Sequence, residues 1–190
     1  MVKYLMCIIG IWMLSCSTKP PQKGIMFNVD EQLTVWLPAR PREMNAQKAL
    51  NASNSPSKND PMAHTAQVFR LEDHIAVYII IRIPLLEAPQ LPVAFAEREA
   101  HYVSRTIPLM MDQAHGELMS QTINNQNGVD VIILKYKTIN AAGVSIIKYS
   151  YNVTVRNIVY QLYFIPKDQQ GDSNQEEKTR FFNPTILAKR

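Results

Sequence analysis

The four histidines are the first residues to consider for chemistry, because imidazole is the most common metal ligand in proteins. They are His64, His74, His101 and His115, and no two have the interval that places a metal-binding pair on one helix face. On a straight helix, the fourteen residues from His101 to His115 span roughly 21 Å, too far to share one ion. The sequence therefore predicts no metal site.

Adjacent carboxylates such as the pairs Glu72-Asp73 and Glu176-Glu177 could in principle supply general acid and base chemistry. Both fall in a predicted turn or at a predicted helix start, where acids are solvated or complement the helix N-terminus. The chain has no nucleophile elbow, phosphate-binding loop or dinucleotide fingerprint, and six glycines leave little material for one. We therefore predict no catalytic residues, no cofactor and no enzymatic activity.

Five tyrosines fall on three predicted neighbouring strands. One hypothesis is that they line a groove for a partner, because tyrosine offers contact area and a hydrogen bond at low entropic cost. The alternative is cross-strand packing over the core, which requires no ligand and which the pattern favours. The five residues are Tyr136, Tyr149, Tyr151, Tyr160 and Tyr163.

The N-terminus has the pattern of an export signal. Lys3 is followed by eleven apolar residues, 4–14, which as a helix span about 16 Å, roughly half a bilayer core. The segment ends in Leu14-Ser15-Cys16, which resembles the bacterial lipobox. This pattern predicts a signal peptide over residues 1–15.

The resemblance to a lipobox implies that Cys16 carries a lipid (diacylglycerol, with palmitate as a labelling substrate) and that residues 16–24 form an extended tether. Cys7 would be removed with the signal peptide, which leaves no thiol for a disulfide or a zinc site. The alternative is an uncleaved anchor with Cys16 as an ordinary thiol. Ser17 stands where an aspartate would retain lipoproteins at the inner membrane, so we expect an outer-membrane location facing the periplasm.

The charge balance argues against nucleic acid as a partner. The whole chain carries 20 Lys and Arg against 16 Asp and Glu, and removing residues 1–15 deletes one of the basic residues, Lys3. The remaining excess is small and scattered, whereas nucleic-acid binding usually needs a clustered basic face. The expected partners are the membrane, through the lipid, and an envelope protein.

The rest of the chain, residues 25–190, reads as one α+β domain. Period-two alternation, together with runs rich in Val, Ile, Phe and Tyr, predicts strands at 25–29, 33–37, 65–71, 75–83, 129–139, 144–155 and 158–165. The run at 75–83 is apolar at nearly every position, which predicts a central strand covered on both faces. Turns are predicted at Glu72-Asp73-His74, Ala141-Ala142-Gly143 and Arg156-Asn157. In the last turn Asn157 is expected to adopt positive φ. Residues 39–63 are polar and turn-rich, which predicts a flexible loop.

Two helices are predicted. An apolar stripe from Phe95 to Leu118 predicts one long helix, with a kink or a break where Pro108 interrupts it. A short helix over 176–183 should bury Phe181 or Phe182, and the spacing favours Phe181. From Ile147 to Val155 the odd positions are apolar and the even positions polar, which predicts one buried and one solvated sheet face.

The order of these elements resembles the Mog1/PsbP-like fold, an α/β/α sandwich around an antiparallel sheet. The resemblance is carried by 33–38 (LTVWLP), 149–153 (YSYNV), 160–164 (YQLYF) and 180–184 (RFFNP). It implies a binding or assembly role. Two hypotheses follow: a non-enzymatic lipoprotein that binds or helps assemble an envelope protein, or a small-ligand carrier or hydrolase. A pocket of several hundred cubic ångströms with convergent polar groups would favour the second.

Overall fold

The computed structural model describes residues 23–46, 65–126, 128–168 and 171–187. The predicted signal peptide and Cys16 lie outside these ranges, as does most of the predicted 39–63 loop. Within the described ranges the chain forms antiparallel sheets with helices, which confirms the predicted α+β class.

The strands belong to two sheets. A small sheet has the order β1-β2-β10, and a large sheet of seven described strands has the order β3-β4-β5-β9-β8-β7-β6, with every pairing antiparallel. In chain order the strands are β1 (Ile25–Asn28), β2 (Leu33–Leu37), β3 (Arg42–Met44), β4 (Gln67–Glu72), β5 (Ala76–Pro84), β6 (Gly116–Gln126), β7 (Val129–Ile139), β8 (Ser145–Val155), β9 (Ile158–Pro166) and β10 (Thr185–Ile186).

The seven predicted strands are confirmed, and three strands, β3, β6 and β10, were not foreseen. The hairpin of β4 and β5 and the meander of β7, β8 and β9 lie where period-two alternation placed them. β3 lies inside the segment predicted as a loop. β6 begins at Gly116, where the helix was predicted to continue to Leu118, so that prediction was wrong.

The helical segment consists of α1 (Phe95–His101), a π-helical turn (Tyr102–Thr106) and α2 (Ile107–Ala114). The first N–H of α2 bonds to the first carbonyl of the π turn, five residues earlier. Pro108 accounts for this irregularity, because proline lacks an N–H and its ring conflicts with the carbonyl four residues before it. A π turn adds one residue and so relieves that conflict.

The large sheet separates two apolar clusters. One face packs against the small sheet and α3 (Gln175–Phe181), and the other packs against the helical segment. Both faces of the middle strands are therefore covered. The predicted solvated face of β8 was wrong, because Ser150 and Asn152 on that face are buried and Lys148 is half-buried.

Asp30 ties the small sheet to the large one. Its Oδ1 accepts hydrogen bonds from the N–H groups of Gln32 and Leu33 at 2.8 and 3.1 Å, which fixes the β1–β2 turn. Its Oδ2 accepts from Arg82 Nε and the Tyr160 hydroxyl on the large sheet, both at 2.6 Å. Burial acts to raise the pKa of Asp30, but these hydrogen bonds outweigh it and hold the pKa below its ordinary value.

α3 closes the cluster on the small-sheet side. Phe181 is 0% exposed and its ring lies 5.3 Å from that of Tyr78, edge to face. Phe182 is half-buried at the margin of the same cluster. The predicted burial of Phe181 is confirmed, in a helix that starts and ends slightly earlier than predicted.

The turn between β8 and β9 is Arg156-Asn157, as predicted, but the wrong residue was assigned the positive φ. Arg156 has φ +56°. Asn157 instead donates a hydrogen bond from Nδ2 to the Leu85 carbonyl at 3.2 Å, and its own carbonyl accepts from the Leu85 N–H. This turn is thereby joined to the segment that leads from β5 to α1.

Candidate functional site

A cleft of about 420 Å³ lies between the helical segment and the large sheet. Its volume falls within the range of small-molecule sites, about 300–1,000 Å³. Strands β7, β8 and β9 form its floor, and α1, the π turn and α2 form a wall. The polar groups that shape it include Arg98, Tyr102, Asp130, Asn152 and Gln161.

Asp130 anchors the helical wall to the sheet. Its carboxylate accepts from Arg98 Nε and Nη2, from the Tyr102 hydroxyl at 2.9 Å and from Asn125 Nδ2 at 2.6 Å. The Asp130 side chain is 9% exposed and that of Arg98 is 16% exposed. One carboxylate at the start of β7 therefore holds α1, the π turn and β6 together.

The guanidinium of Arg98 has a second set of partners. Its Nη1 donates to the carbonyls of Pro92 and Val93, in the segment just before α1. A planar guanidinium presents donors in a fixed fork, so a single side chain can join a carboxylate and two carbonyls. Arg98 thus fixes the edge of the cleft as well as its wall.

The ionisation states in this cluster follow from its geometry. Burial acts to raise the pKa of Asp130, but the hydrogen bonds from Arg98, Asn125 and Tyr102 outweigh burial and lower the pKa. Burial, and then the hydrogen bond to Asp130, raises the pKa of Tyr102 to about 12. At neutral pH Asp130 is therefore an anion and Tyr102 a neutral donor, a pairing suited to holding structure rather than to transferring protons.

Asn152 lies in the floor of the cleft and is 6% exposed. Its Nδ2 donates to the Ile132 carbonyl at 3.2 Å and to Ser150 Oγ at 2.9 Å. A carbonyl can only accept, so this contact fixes which end of the amide is nitrogen. The Oδ1 is then a buried acceptor with no hydrogen-bond partner among the described residues.

Gln161 lies directly opposite Asn152 on β9 and extends the polar floor. Its Oε1 accepts from the Tyr163 hydroxyl at 3.2 Å. Apolar side chains surround these amides, including Leu91, Met110 and Val159. The floor therefore combines two amides with an apolar rim, an arrangement common in sites that bind small molecules.

The five tyrosines predicted as a possible groove do not lie on one surface. Tyr149, Tyr151 and Tyr160 are buried on the small-sheet face, and Tyr136 is buried on the helical face with Tyr163 packed beside it. The structure thus places them in the two cores, as the packing alternative expected.

The residues that form the cleft were not identified from the sequence as a site. Asp130 and Asn152 occupy alternating strand positions that look solvated in the sequence, and the helical segment covers that face in the structure. Arg98 carries no signal in the sequence, because its partner is 32 residues away along the chain. Among the described residues, no group of three or more His, Cys, Asp or Glu side chains could hold a metal ion.

No protein-family model matches the chain, and no curated protein matches it either. In the described part of the chain, none of the helices is both long and apolar enough to cross a membrane.

Proposed function

We propose that this chain is a lipid-anchored, non-enzymatic binding protein of the bacterial envelope, and that the cleft holds its ligand. The anchor proposal rests on Lys3, the apolar run and Leu14-Ser15-Cys16, and Ser17 favours the outer membrane. The binding proposal rests on one observation, a cleft lined by Asn152, whose buried Oδ1 has no hydrogen-bond partner among the described residues. Of the two hypotheses from the sequence, the cleft favours the ligand carrier.

The chemistry of the cleft points to binding rather than hydrolysis. Asp130 is committed to four hydrogen bonds and its pKa is lowered, whereas a general acid needs a raised pKa. The hydroxyls in the lining, such as Thr106 and Thr154, have no histidine beside them in the lining to activate them. These features support a site that holds its ligand without changing it.

The ligand that fits is amphipathic, with an N–H or O–H donor. Arg98 and Asp130 neutralise each other, so this ion pair attracts neither an anionic nor a cationic ligand. The Asn152 Oδ1 is an acceptor, and a buried acceptor without a partner costs about 1–3 kcal/mol, which a donor recovers. Leu91, Met110 and Val159 supply contacts for an apolar group.

We further propose that the fold is Mog1/PsbP-like. The support is the layered arrangement: an antiparallel sheet with the α1–α2 segment on one face, and with α3 and the small sheet on the other. Binding and assembly roles are what that resemblance implies, which is consistent with a cleft that has no catalytic pair.

The cleft proposal predicts binding of a simple amide. N-acetyl-leucinamide is uncharged, carries N–H donors and has one apolar side chain. When it is titrated into the isotopically labelled full chain in detergent, NMR shifts should concentrate at Asn152, Gln161 and Thr106. Asn152→Leu should weaken the binding at least about fivefold, because leaving a buried polar group without its hydrogen bond costs about 1–3 kcal/mol.

The matched control is Asn183→Leu, which makes the same change at an exposed position outside the cleft. It should leave the affinity for the probe unchanged. Equal binding by Asn152→Leu and the wild type, or shifts centred outside the cleft, would show that this is not the ligand site.

A further inference from the structure

Strand β6 (Gly116–Gln126) forms one edge of the large sheet, and its eleven residues are exposed at nearly every position. No described strand pairs with its outer side, so that side presents a row of unpaired N–H and C=O groups. The opposite edge is β3, which has three residues and carries Arg42 and Glu43. Short length and charge protect β3 from pairing, whereas β6 is long and is charged only at Glu117.

Most of β6 is regular enough to accept another strand. Its register with β7 shifts between Leu118 and Ser120, and from Ser120 to Gln126 it runs without interruption. Glu117 is its only charged residue and lies before the shift, and the strand contains no proline. The seven residues 120–126 (SQTINNQ) are therefore an uncharged, open pairing edge.

This edge is complementary to itself. In an antiparallel two-fold pairing centred on Ile123, Ser120 faces Gln126, Gln121 faces Asn125, and Thr122 faces Asn124. Every such pair joins amide or hydroxyl groups, which are both donors and acceptors, and no like charges meet. Stacked Asn and Gln side chains add hydrogen bonds along such a ladder.

We propose that β6 is an interface at which two copies of this chain pair edge to edge. The two large sheets then continue into one another through backbone hydrogen bonds, with β6 no longer an edge. A second copy is the favoured occupant because the window carries no charge for an unlike strand to complement, and because its own sequence supplies matched partners. The interface is on the far side of β6 from β7 and from the proposed cleft, and Asn125 is the residue of this window that also donates to Asp130.

Sedimentation equilibrium of the purified full chain in density-matched detergent tests this proposal. The wild type should show twice the protomer mass. The double variant Thr122→Lys/Asn124→Lys places ammonium groups opposite each other across the two-fold axis and should raise the dissociation constant at least tenfold. Both positions are exposed, so circular dichroism should show an intact fold.

Ser145→Lys is the control, because it adds a lysine at an exposed residue of β8 away from this edge. It should leave the dimer unchanged. A monomeric wild type would overturn the proposal, as would a dimer that the two β6 lysines do not weaken. Probe binding in the cleft is expected in monomer and dimer alike, so the two proposals fail separately.

Discussion

Replacing Phe181 by alanine should destabilise the folded domain by about 3–5 kcal/mol, the usual loss for a fully buried phenylalanine. The ring is 0% exposed and packs against Tyr78, in the cluster between the large sheet, the small sheet and α3. α3 has only seven residues, and a helix this short is marginal without apolar contacts. The substitution should therefore release α3 as well as leave a cavity.

Phe182→Ala is the matched control, since it removes the same side chain from the next residue, which is only half-buried. Phe182→Ala should lower the free energy of unfolding clearly less than Phe181→Ala does. Urea unfolding followed by circular dichroism measures both variants, with the slope of the transition showing whether unfolding stays cooperative. A loss for Phe182→Ala that equals or exceeds the loss for Phe181→Ala would contradict this account of the core.

Replacing Asp130 by alanine should lower the free energy of unfolding by about 2–3 kcal/mol. This value lies between the roughly 1 kcal/mol that an exposed ion pair contributes and the about 3–5 kcal/mol lost when a fully buried pair is broken. The substitution leaves Arg98 without its carboxylate and removes the acceptor for Tyr102 and Asn125. The helical wall of the cleft should loosen, so binding of the amide probe should weaken together with stability. Thermal or urea unfolding measures the first effect.

The same variant gives a pH test with a definite sign. The pKa of Asp130 is lowered in the folded state, so its stabilising effect is fully present above the unfolded pKa near 3.9 and is lost as the pH falls through the lower folded value. The stability difference between wild type and Asp130→Ala should hold at neutral pH and shrink below about pH 4. Glu176→Ala, which removes an exposed ion pair with Arg180, is the control and should have little effect on the free energy of unfolding. A difference that grows on acidification would refute the assigned role of Asp130.

The strands were predictable because their burial follows a period of two. In β8 the odd positions, such as Tyr149, Tyr151 and Val153, are buried on one face, as the apolar alternation indicated. What alternation does not reveal is whether the other face is covered. Asn152 looked solvated for this reason, and only the helical segment above it makes it a buried amide.

The sequence predicted a helix in this segment, but it did not predict correctly which residues face the core or where the helix ends. The stripe assumed 3.6 residues per turn throughout, and the π turn adds one residue near Pro108. Beyond that point Met111 is buried and Met110 is only half-buried. The C-terminal end of the helix was misplaced because β6, which follows it, is exposed on both faces and has no apolar alternation. The sequence pattern therefore does not indicate that β6 pairs with β7.

The site itself required tertiary structure. Arg98 and Asp130 are separated by 32 residues and meet only because α1 packs beside the start of β7. Each residue alone looks like an ordinary surface charge. A charged residue two positions before a buried apolar residue on the same sheet face, such as Asp130 before Ile132, is the one local clue.

Labelling with palmitate tests most directly the central claim that this chain is a lipid-anchored envelope protein. Cells expressing the wild type should incorporate labelled palmitate into the protein, and it should fractionate with membranes. Cys16→Ser should abolish both the label and the removal of residues 1–15, whereas Cys7→Ser should leave the label in place because Cys7 falls within the predicted signal peptide. Equal labelling of the wild type and Cys16→Ser, or no labelling of either, would contradict the claim.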